Sequence, residues 1–451
     1  MLKNYVAPIL FLLCFCFSHS QKTSDNQYLP KDIEALEDYL EQINSDYIKR
    51  IDGSHASKIR KIFKNRDEKV LESINDSVYI FNDDINIYID SILSNIYKAN
   101  PQIDNTNYKF FVNTSFIPNA SCYGDGMFEI YLGLFSTLSS DDEVAFVICH
   151  EIAHKLLDHP LDNVTNVIST INSKETKKKV REIKRQKYGQ TRAALSVIDE
   201  LSIDILDHSK ETEAQADSLG FVLFSKTIYN KYKALSALSK LQRDDDMLLS
   251  HNIRVDSIFN FETYPFKPFW LKETVSIFDT DEKINEFSLD SDTLKTHPEI
   301  EFRIEKLKSD FSIISTDSSG QENNMRLLIN LANLKMIESA IDKKNLDIAI
   351  YQLVELFHNK RIGSEYYHIT MASVLKQIYN AKKNHELGKY IPPKSKFSDE
   401  KQLNKIRLFL HNLELGETKK MGLAFCKANK DDLMAEDNGT EIFKFFKSIN
   451  Q

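Results

Sequence analysis

Apolar residues recur at helical spacing along most of the chain, which predicts a mainly helical protein. The run that starts at Val144 is apolar on nearly all sides, so its helix is expected to be buried. Ser140, followed three residues later by Glu143, forms a capping-box pattern that marks the start of this helix. Further helices are predicted over about 85–98 and 210–224. With 12 glycines and 10 prolines in 451 residues, few positions interrupt these patterns.

Two further stretches complete the predicted organisation. The segment NYKFFVNTSF at 107–116 is rich in aromatic and β-branched residues, which predicts a strand. The polar segment STDSSGQENN at 315–324 indicates a boundary. Beyond it, a helix–turn–helix rhythm with Asn345 at the turn predicts an all-α C-terminal domain at 325–451. Its rhythm is similar to one tetratricopeptide unit, but no regular 34-residue period supports a repeat array.

The N-terminus has the pattern of a secretory signal peptide, assigned to residues 1–20. Lys3 supplies the positive end, residues 8–17 the short apolar region, and Ser18 and Ser20 the small residues before a cleavage site. We therefore expect export, to the periplasm, to the outer membrane or to the medium. The charged helical patterns in the next segment, 21–83, carry no assigned chemistry.

Charge and hydropathy argue against nucleic acid as a partner and against a membrane-spanning segment. The net charge of −8 argues against a general nucleic-acid binder, which would normally be basic. No stretch after the signal peptide reaches the length of a membrane span, so no transmembrane segment is predicted in the mature chain. The basic segment 174–187 suggests either a mobile patch that touches lipid or substrate, or an ordinary solvated helix face; the second interpretation is favoured.

The buried helix carries the sequence VICHEIAHKLLDHP at 147–160. His150 and His154 lie one helical turn apart with Glu151 beside the first, an arrangement that binds zinc and activates a water. The alternative is a pair of ordinary hydrogen-bonded core histidines. Burying two histidines and a glutamate without partners is costly, so this spacing favours a metal site.

A third ligand is expected from elsewhere in the chain, with a fourth position left open. His159 does not fit the extended H-E-x-x-H-x-x-G-x-x-H pattern, because that pattern needs glycine at 157 and histidine at 160. Glu213 and Asp217 lie one turn apart in KETEAQADSLGFVLF at 210–224. Glu213 is therefore the expected ligand, and Asp217 the expected acceptor for the spare N–H of a ligating histidine. Without the first motif, an acidic amphipathic helix would be the simpler interpretation.

Four segments in this order resemble a known family. They are PNASCYGDGMFEIYLGLF (118–135), HEIAH (150–154), ETEAQADSLG (211–220) and THPEIEFRIEKL (296–307). Together they are similar to the zinc metallopeptidases that include HtpX, the CAAX prenyl proteases and the soluble periplasmic BepA-type proteases, over about residues 84–310. The chain departs from the family's Gly-Gly by having Gly-Asp-Gly in the first segment.

The resemblance implies an α+β fold of gluzincin type. A mainly helical metallopeptidase domain at 84–314, with a small sheet bearing an edge strand, would precede the all-α C-terminal domain. One Zn²⁺ per chain would be bound by His150, His154 and Glu213. Glu151 would be the general base and Asp217 a supporting residue.

The resemblance also implies further site residues. His297 would lie near the zinc, either occupying the open position or facing the intermediate, and Arg303 would face the oxyanion. A helix start with a structural arginine is the alternative for these two. An edge strand would pair with the substrate and would comprise Met127, Phe128, Glu129, Ile130 and Tyr131. Asn119 matches the family's asparagine without an assigned role.

These expectations describe an exported zinc endopeptidase. Its substrates would be unfolded or misassembled envelope proteins, in a quality-control role that rests on family analogy. The C-terminal helices would offer a surface for a protein partner. The alternative is a catalytically silent, chaperone-like or substrate-binding module on the same fold. A thermolysin-like peptidase is disfavoured because its third ligand usually lies much closer to the motif than Glu213 does.

Overall fold

The computed structural model describes residues 30–81, 83–185, 190–247, 249–273, 300–313, 325–394 and 400–451. The predicted signal peptide at 1–20, the polar boundary at 315–324 and His297 lie outside the described residues.

Most of the described chain is helical. The helices are α1 (Ile33–Lys49), α2 (Ala56–Asn75), α3 (Asp83–Ala99), α4 (Leu132–Thr137), α5 (Asp141–Leu156), α6 (His159–Asn172), α7 (Lys174–Arg185), α8 (Gln190–Phe224), α9 (Lys233–Met247), α10 (Val255–Ile258), α11 (Ile300–Phe311), α12 (Met325–Asp342), α13 (Leu346–His358), α14 (Ser364–Lys383), α15 (Leu387–Tyr390), α16 (Lys401–Asn412), α17 (Leu415–Ala428), α18 (Lys430–Met434) and α19 (Asp437–Ile449). The strands are β1 (Tyr79–Ile80), β2 (Lys109–Asn113), β3 (Ala120–Cys122) and β4 (Met127–Tyr131). The predicted α+β class, with a small sheet and C-terminal helices, is confirmed.

The four strands form one mixed sheet in the order β1-β2-β4-β3. β4 pairs in parallel with β2 and antiparallel with β3, so it lies inside the sheet. The prediction that Met127–Tyr131 is an edge strand is therefore wrong, although the strand itself is present. The physical reason is the turn between β3 and β4, where Gly124 and Gly126 adopt φ values of 96° and 123°. Glycine reaches these conformations without steric cost, so the chain folds back and β3 covers β4.

Helix α5 contributes residues from Val144 to Ile152 to one hydrophobic core, which is called the α5 core below. It contacts α3, α8, α9 and β3, and its side chains are buried from Glu143 to His154. Ser140 caps the helix and accepts a hydrogen bond from the Glu143 N–H, as the capping-box pattern predicted. The Glu143 carboxylate accepts hydrogen bonds from Ser236 Oγ at 2.6 Å and from Lys240 Nζ at 2.7 Å. A buried charge at the start of α5 is thus satisfied by α9, which holds the two helices together.

Helix α12 is shared by two hydrophobic cores. Its N-terminal part joins the α5 core through Met325, Leu328, Ala332 and Met336. Its C-terminal end joins the core of α13–α19 through Ile337 and Ala340.

The segment between α9 and α11 also packs with the C-terminal helices. Ile253, Val255, Phe259 and Trp270 are buried in their core, and Trp270 Nε1 donates to Glu417 at 2.6 Å. The domain limits at 314 and 325 remain predictions, and the packing shows close contact across them.

The N-terminal helices α1 and α2 pack on the sheet and on α6. Leu40 of α1 and Val70 of α2 pack against Met127 of the sheet. Tyr47 and Phe63 pack against Val164 of α6. No helix among the described residues is sufficiently long and apolar to cross a bilayer.

Candidate metal centre

The candidate centre forms where α5 crosses α8. At the crossing, a Cβ atom on Gly220 would lie only 2.9 Å from His150 Cα, so glycine permits the close approach of the two backbones. Ala216, one turn earlier, is fully buried. The small residues of α8 therefore bring its carboxylates within reach of the histidines on α5.

Three predicted ligands meet at this crossing. Nε2 of His150 lies 3.0 Å from Nε2 of His154. The Glu213 carboxylate oxygens lie 3.5 Å from His150 Nε2 and 3.3 Å from His154 Nε2. The ligand atoms all lie within 4.8 Å of one another. A tetrahedral Zn²⁺ with bonds of about 2.0–2.1 Å separates neighbouring ligand atoms by about 3.3 Å, so this donor set fits zinc in both chemistry and spacing.

His150 has a second partner on α8. Its Nδ1 lies 2.9 Å from Asp217 Oδ1, which is the contact predicted from the spacing of Glu213 and Asp217. Burial alone would lower the pKa of His150, but Asp217 and Glu213 outweigh it and raise the pKa to about 10 in the metal-free protein. The carboxylates thus favour positive charge at this position, which suits a cation.

Arg303 of α11 lies behind the ligands and is 3% exposed. Its Nε and one terminal nitrogen donate to the Asp217 carboxylate at 2.6 and 2.8 Å, and the other terminal nitrogen lies 2.9 Å from Glu213 Oε2. Burial raises the pKa of Asp217, but the Arg303 charge overcomes this and lowers the pKa to about 2. Arg303 therefore holds both α8 carboxylates ionised and in place. Its predicted role toward an oxyanion stays a prediction.

His154 is oriented by a residue that sequence reasoning set aside. Nδ1 of His159 lies 3.0 Å from Nδ1 of His154, and Nε2 of His159 lies 3.2 Å from Gln215 Oε1. Gln215 Nε2 donates to Glu211 at 3.2 Å, which orients the amide with its oxygen toward His159.

These contacts assign the tautomers. His159 Nε2–H donates to Gln215, so its Nδ1 accepts from His154 Nδ1–H, and the lone pair of His154 Nε2 is left for a metal. Burial and the neighbouring His154 lower the pKa of His159, which keeps it neutral. His159 was rejected as a ligand from the sequence, and its role in orienting His154 was not predicted. The sign of this role in the sequence is the position of a histidine just past the motif helix.

The turn before α6 positions His159. Asp158 adopts φ 56° and accepts a hydrogen bond from Tyr47 Oη of α1 at 2.9 Å. The N-terminal segment, to which the sequence assigned no chemistry, thus supports the metal centre.

A cleft of about 380 Å³ opens beside the ligands. Its lining includes Glu151, His154 and Glu213 together with Ala120, Ser121 and Cys122 of β3 and the adjacent Tyr123. Pro160 and Asn163 of α6 and Arg66 of α2 complete the lining. Glu151 therefore reaches the same space as two of the metal ligands, where a general base is needed.

The free edge of β3 borders this cleft. Tyr131 N–H donates to Asn119 O and Tyr123 N–H donates to Met127 O, so the peptide groups of alternate residues face β4. The backbone groups of Ala120 and Cys122 consequently point away from β4. Asn119 Oδ1 accepts from Ala120 N–H at 2.9 Å, which engages one of these groups. The remaining outward groups can pair with an extended peptide.

β4 itself is closed to a substrate. Met127, Phe128 and Ile130 are buried in the cores on the two sides of the sheet. The Glu129 carboxylate is 4% exposed and accepts hydrogen bonds from the hydroxyls of Tyr79 and Tyr123. These residues were predicted as a substrate strand, but their contacts lie within the protein, and β3 is the strand that borders the cleft.

Residues 86–310 match the model of Peptidase family M48. A comparison with curated proteins gave no match. The matched region contains the three candidate ligands together with Glu151, Asp217 and Arg303. The part of the chain that builds the candidate metal centre is thus a match to peptidase family M48, and this match supports a protease.

Proposed function

We propose that the protein is a zinc-dependent endopeptidase. The observation that carries this proposal is the cluster of His150, His154 and Glu213 at the wall of a cleft that also contains Glu151 and the free edge of β3. When bound, zinc supplies a Lewis acid that polarises a carbonyl and makes a water easier to deprotonate.

The chain's own residues account for the rest of the reaction. The outward backbone groups of β3 align an extended peptide across the cleft by strand addition. Glu151 accepts a proton from the attacking water and can return it to the leaving nitrogen. Asp217 and His159 hold the two ligating imidazoles in the tautomers that leave Nε2 free. Arg303 keeps Glu213 and Asp217 ionised.

The first test measures zinc per chain in the purified protein beside a Glu213→Ala variant. We expect about one zinc in the wild type and much less in the variant. No zinc in a folded wild type, after zinc has been supplied, would contradict the proposal.

The second test separates a peptidase from a silent module. Glu151→Gln is expected to retain zinc and to lose hydrolysis of unfolded protein substrates by at least a hundredfold, since the base has been removed. A wild type that binds zinc and unfolded chains without cleaving them would favour the chaperone-like alternative.

The physiological setting is proposed from the resemblance to periplasmic BepA-type proteases and from the signal-peptide pattern. The protein would be exported and would degrade unfolded or misassembled envelope proteins. Cell fractionation tests this proposal, and a full-length cytoplasmic protein would contradict it.

A further inference from the structure

Helix α2 contributes one charged side chain to the cleft. Arg66 lines the cleft together with Ser121, Cys122 and Tyr123 of the β3 hairpin and with Glu151. Among the described residues of this lining, Arg66 is the only lysine or arginine. A cation from the N-terminal segment therefore faces the same space as the candidate catalytic groups.

The guanidinium of Arg66 contacts an aromatic ring and forms no salt bridge among the described residues. It lies over the Phe63 ring, 4.9 Å from the ring centroid, and Phe63 is fully buried. Within the described part of the chain, no carboxylate oxygen lies within ion-pair distance of it. The field of the nearby Asp125 acts on it, but that carboxylate accepts a hydrogen bond from Met127 N–H at 2.9 Å.

Such an arginine has five donors and no acceptor, and its planar fork matches a carboxylate. Peptide substrates present carboxylates at Asp and Glu side chains and at the C-terminus. An extended peptide advances about 3.3 Å per residue, so a segment of a few residues spans β3 and passes Arg66.

We propose that Arg66 binds a carboxylate of the peptide substrate and so sets a preference for acidic groups beside the cleaved bond. This inference rests on the proposed peptidase function. The guanidinium packs against the Phe63 ring, and the ionic and hydrogen-bonding contribution comes from the substrate. The same contact makes the N-terminal helices part of the substrate site.

The test uses peptides that differ only by Glu or Gln at one position on either side of the cleaved bond, and a pair that differs by a C-terminal acid or amide. Their kcat/KM values are compared for the wild type, Arg66→Gln, Arg66→Lys and Lys64→Gln. Lys64 is an exposed residue of the same helix outside the cleft lining, so its variant is matched in charge.

We expect the wild type to prefer one carboxylate peptide by about tenfold. Arg66→Gln should reduce this ratio to within about twofold, Arg66→Lys should retain part of it, and Lys64→Gln should leave it unchanged. A preference at a Glu position identifies a side chain as the ligand, and a preference for the acid terminus identifies the chain end. The ratio is insensitive to a general loss of folded enzyme, since that loss lowers both rates equally.

A wild type without the preference, or an Arg66→Gln variant that keeps it, would overturn the inference while leaving the peptidase intact. If the wild type cleaves none of the peptides, the proposed function is in question. The same pairs are then titrated against Glu151→Gln by fluorescence anisotropy. Carboxylate-dependent binding that disappears in the Arg66→Gln, Glu151→Gln double variant would support the contact, and equal binding of both peptides would refute it.

Discussion

At the scale of single residues, the two ligating histidines are held by different kinds of partner. His150 faces the Asp217 carboxylate, which Arg303 keeps ionised. His154 faces His159, whose other nitrogen is fixed by Gln215. A carboxylate stabilises positive charge on its imidazole, whereas a neutral histidine fixes only a tautomer. The centre therefore combines one strongly polarised ligand with one oriented ligand.

This difference makes His159 testable as a positioning residue. His159→Leu removes the acceptor for His154 Nδ1–H, so we expect zinc affinity to fall by about tenfold or more. His159→Asn places an amide oxygen close to the former Nδ1 and should recover most of the affinity. Competition with a chromophoric chelator measures both variants. If the Leu variant bound zinc as tightly as the wild type, the hydrogen bond from His154 to His159 would have no role in zinc binding.

Some residues of the site could be predicted from the sequence, and others could not. His150, His154, Glu213 and Asp217 were predictable because each pair has helical i, i+4 spacing, which places both members on one face. The role of His159 was not predictable in this way, because it depends on the left-handed backbone conformation of Asp158 between α5 and α6.

At the scale of elements, the site depends on how closely α5 and α8 pack. At Gly220 a methyl group would meet the backbone of His150 and Cys149. A backbone neighbour cannot rotate away as a side chain can, so the helices would have to separate. Any separation moves Glu213 and Asp217 away from the two imidazoles.

Gly220→Ala is therefore expected to destabilise the protein by about 1–3 kcal/mol and to lower zinc affinity by about tenfold. Gly416→Ala is the matched control, because Gly416 lies in α17 with open space around it. Alanine should there be neutral or stabilising by up to about 1 kcal/mol. Denaturant titration and zinc competition measure the two effects. Tight zinc binding by the Gly220 variant would show that the crossing tolerates separation.

In the sheet, two strands were predicted from the sequence, but their order in the sheet was not. Composition predicted a strand within 107–116, and the family resemblance implied one at Met127–Tyr131; both strands are present. Which strand is at the edge depends on whether the three residues Ala120–Cys122 fold back through the Gly-Asp-Gly turn. Short strands carry little periodic signal, so this pairing appears only in three dimensions.

At the scale of the whole molecule, regions that are separate in the sequence are closely joined in the fold. Arg66 of the N-terminal segment lines the cleft, and residues before 273 complete the C-terminal core. Both features depend on contacts between residues that are far apart in the sequence, and local sequence patterns do not predict such contacts. Lys343 Nζ, which donates to Thr114 at 2.7 Å, and Arg361, which donates to Ser136 O at 2.9 Å, add polar links across the junction.

The shared helix α12 leads to a prediction about cooperativity. Trp270, the only tryptophan of the chain, is fully buried in the C-terminal core and reports its unfolding by fluorescence. Zinc release reports the other core. Because α12 belongs to both, we expect the two signals to change at the same denaturant concentration. Leu328 is buried where α12 joins the α5 core. Leu328→Ala should shift both midpoints down together, by about 2–5 kcal/mol in free energy of unfolding.

Leu327→Ala is the control, since this neighbour is 78% exposed and its loss should change stability by no more than about 0.5 kcal/mol. The decisive comparison is between the two probes in the Leu328 variant at a fixed total zinc concentration, because bound metal itself stabilises the folded state. If zinc release moved to lower denaturant while the Trp270 signal stayed in place, the two cores would unfold independently. Helix α12 would then be a contact between separate units. Coincident shifts would instead mean that a cavity in the core beside the metal centre also weakens the C-terminal core, through the helix that both cores bury.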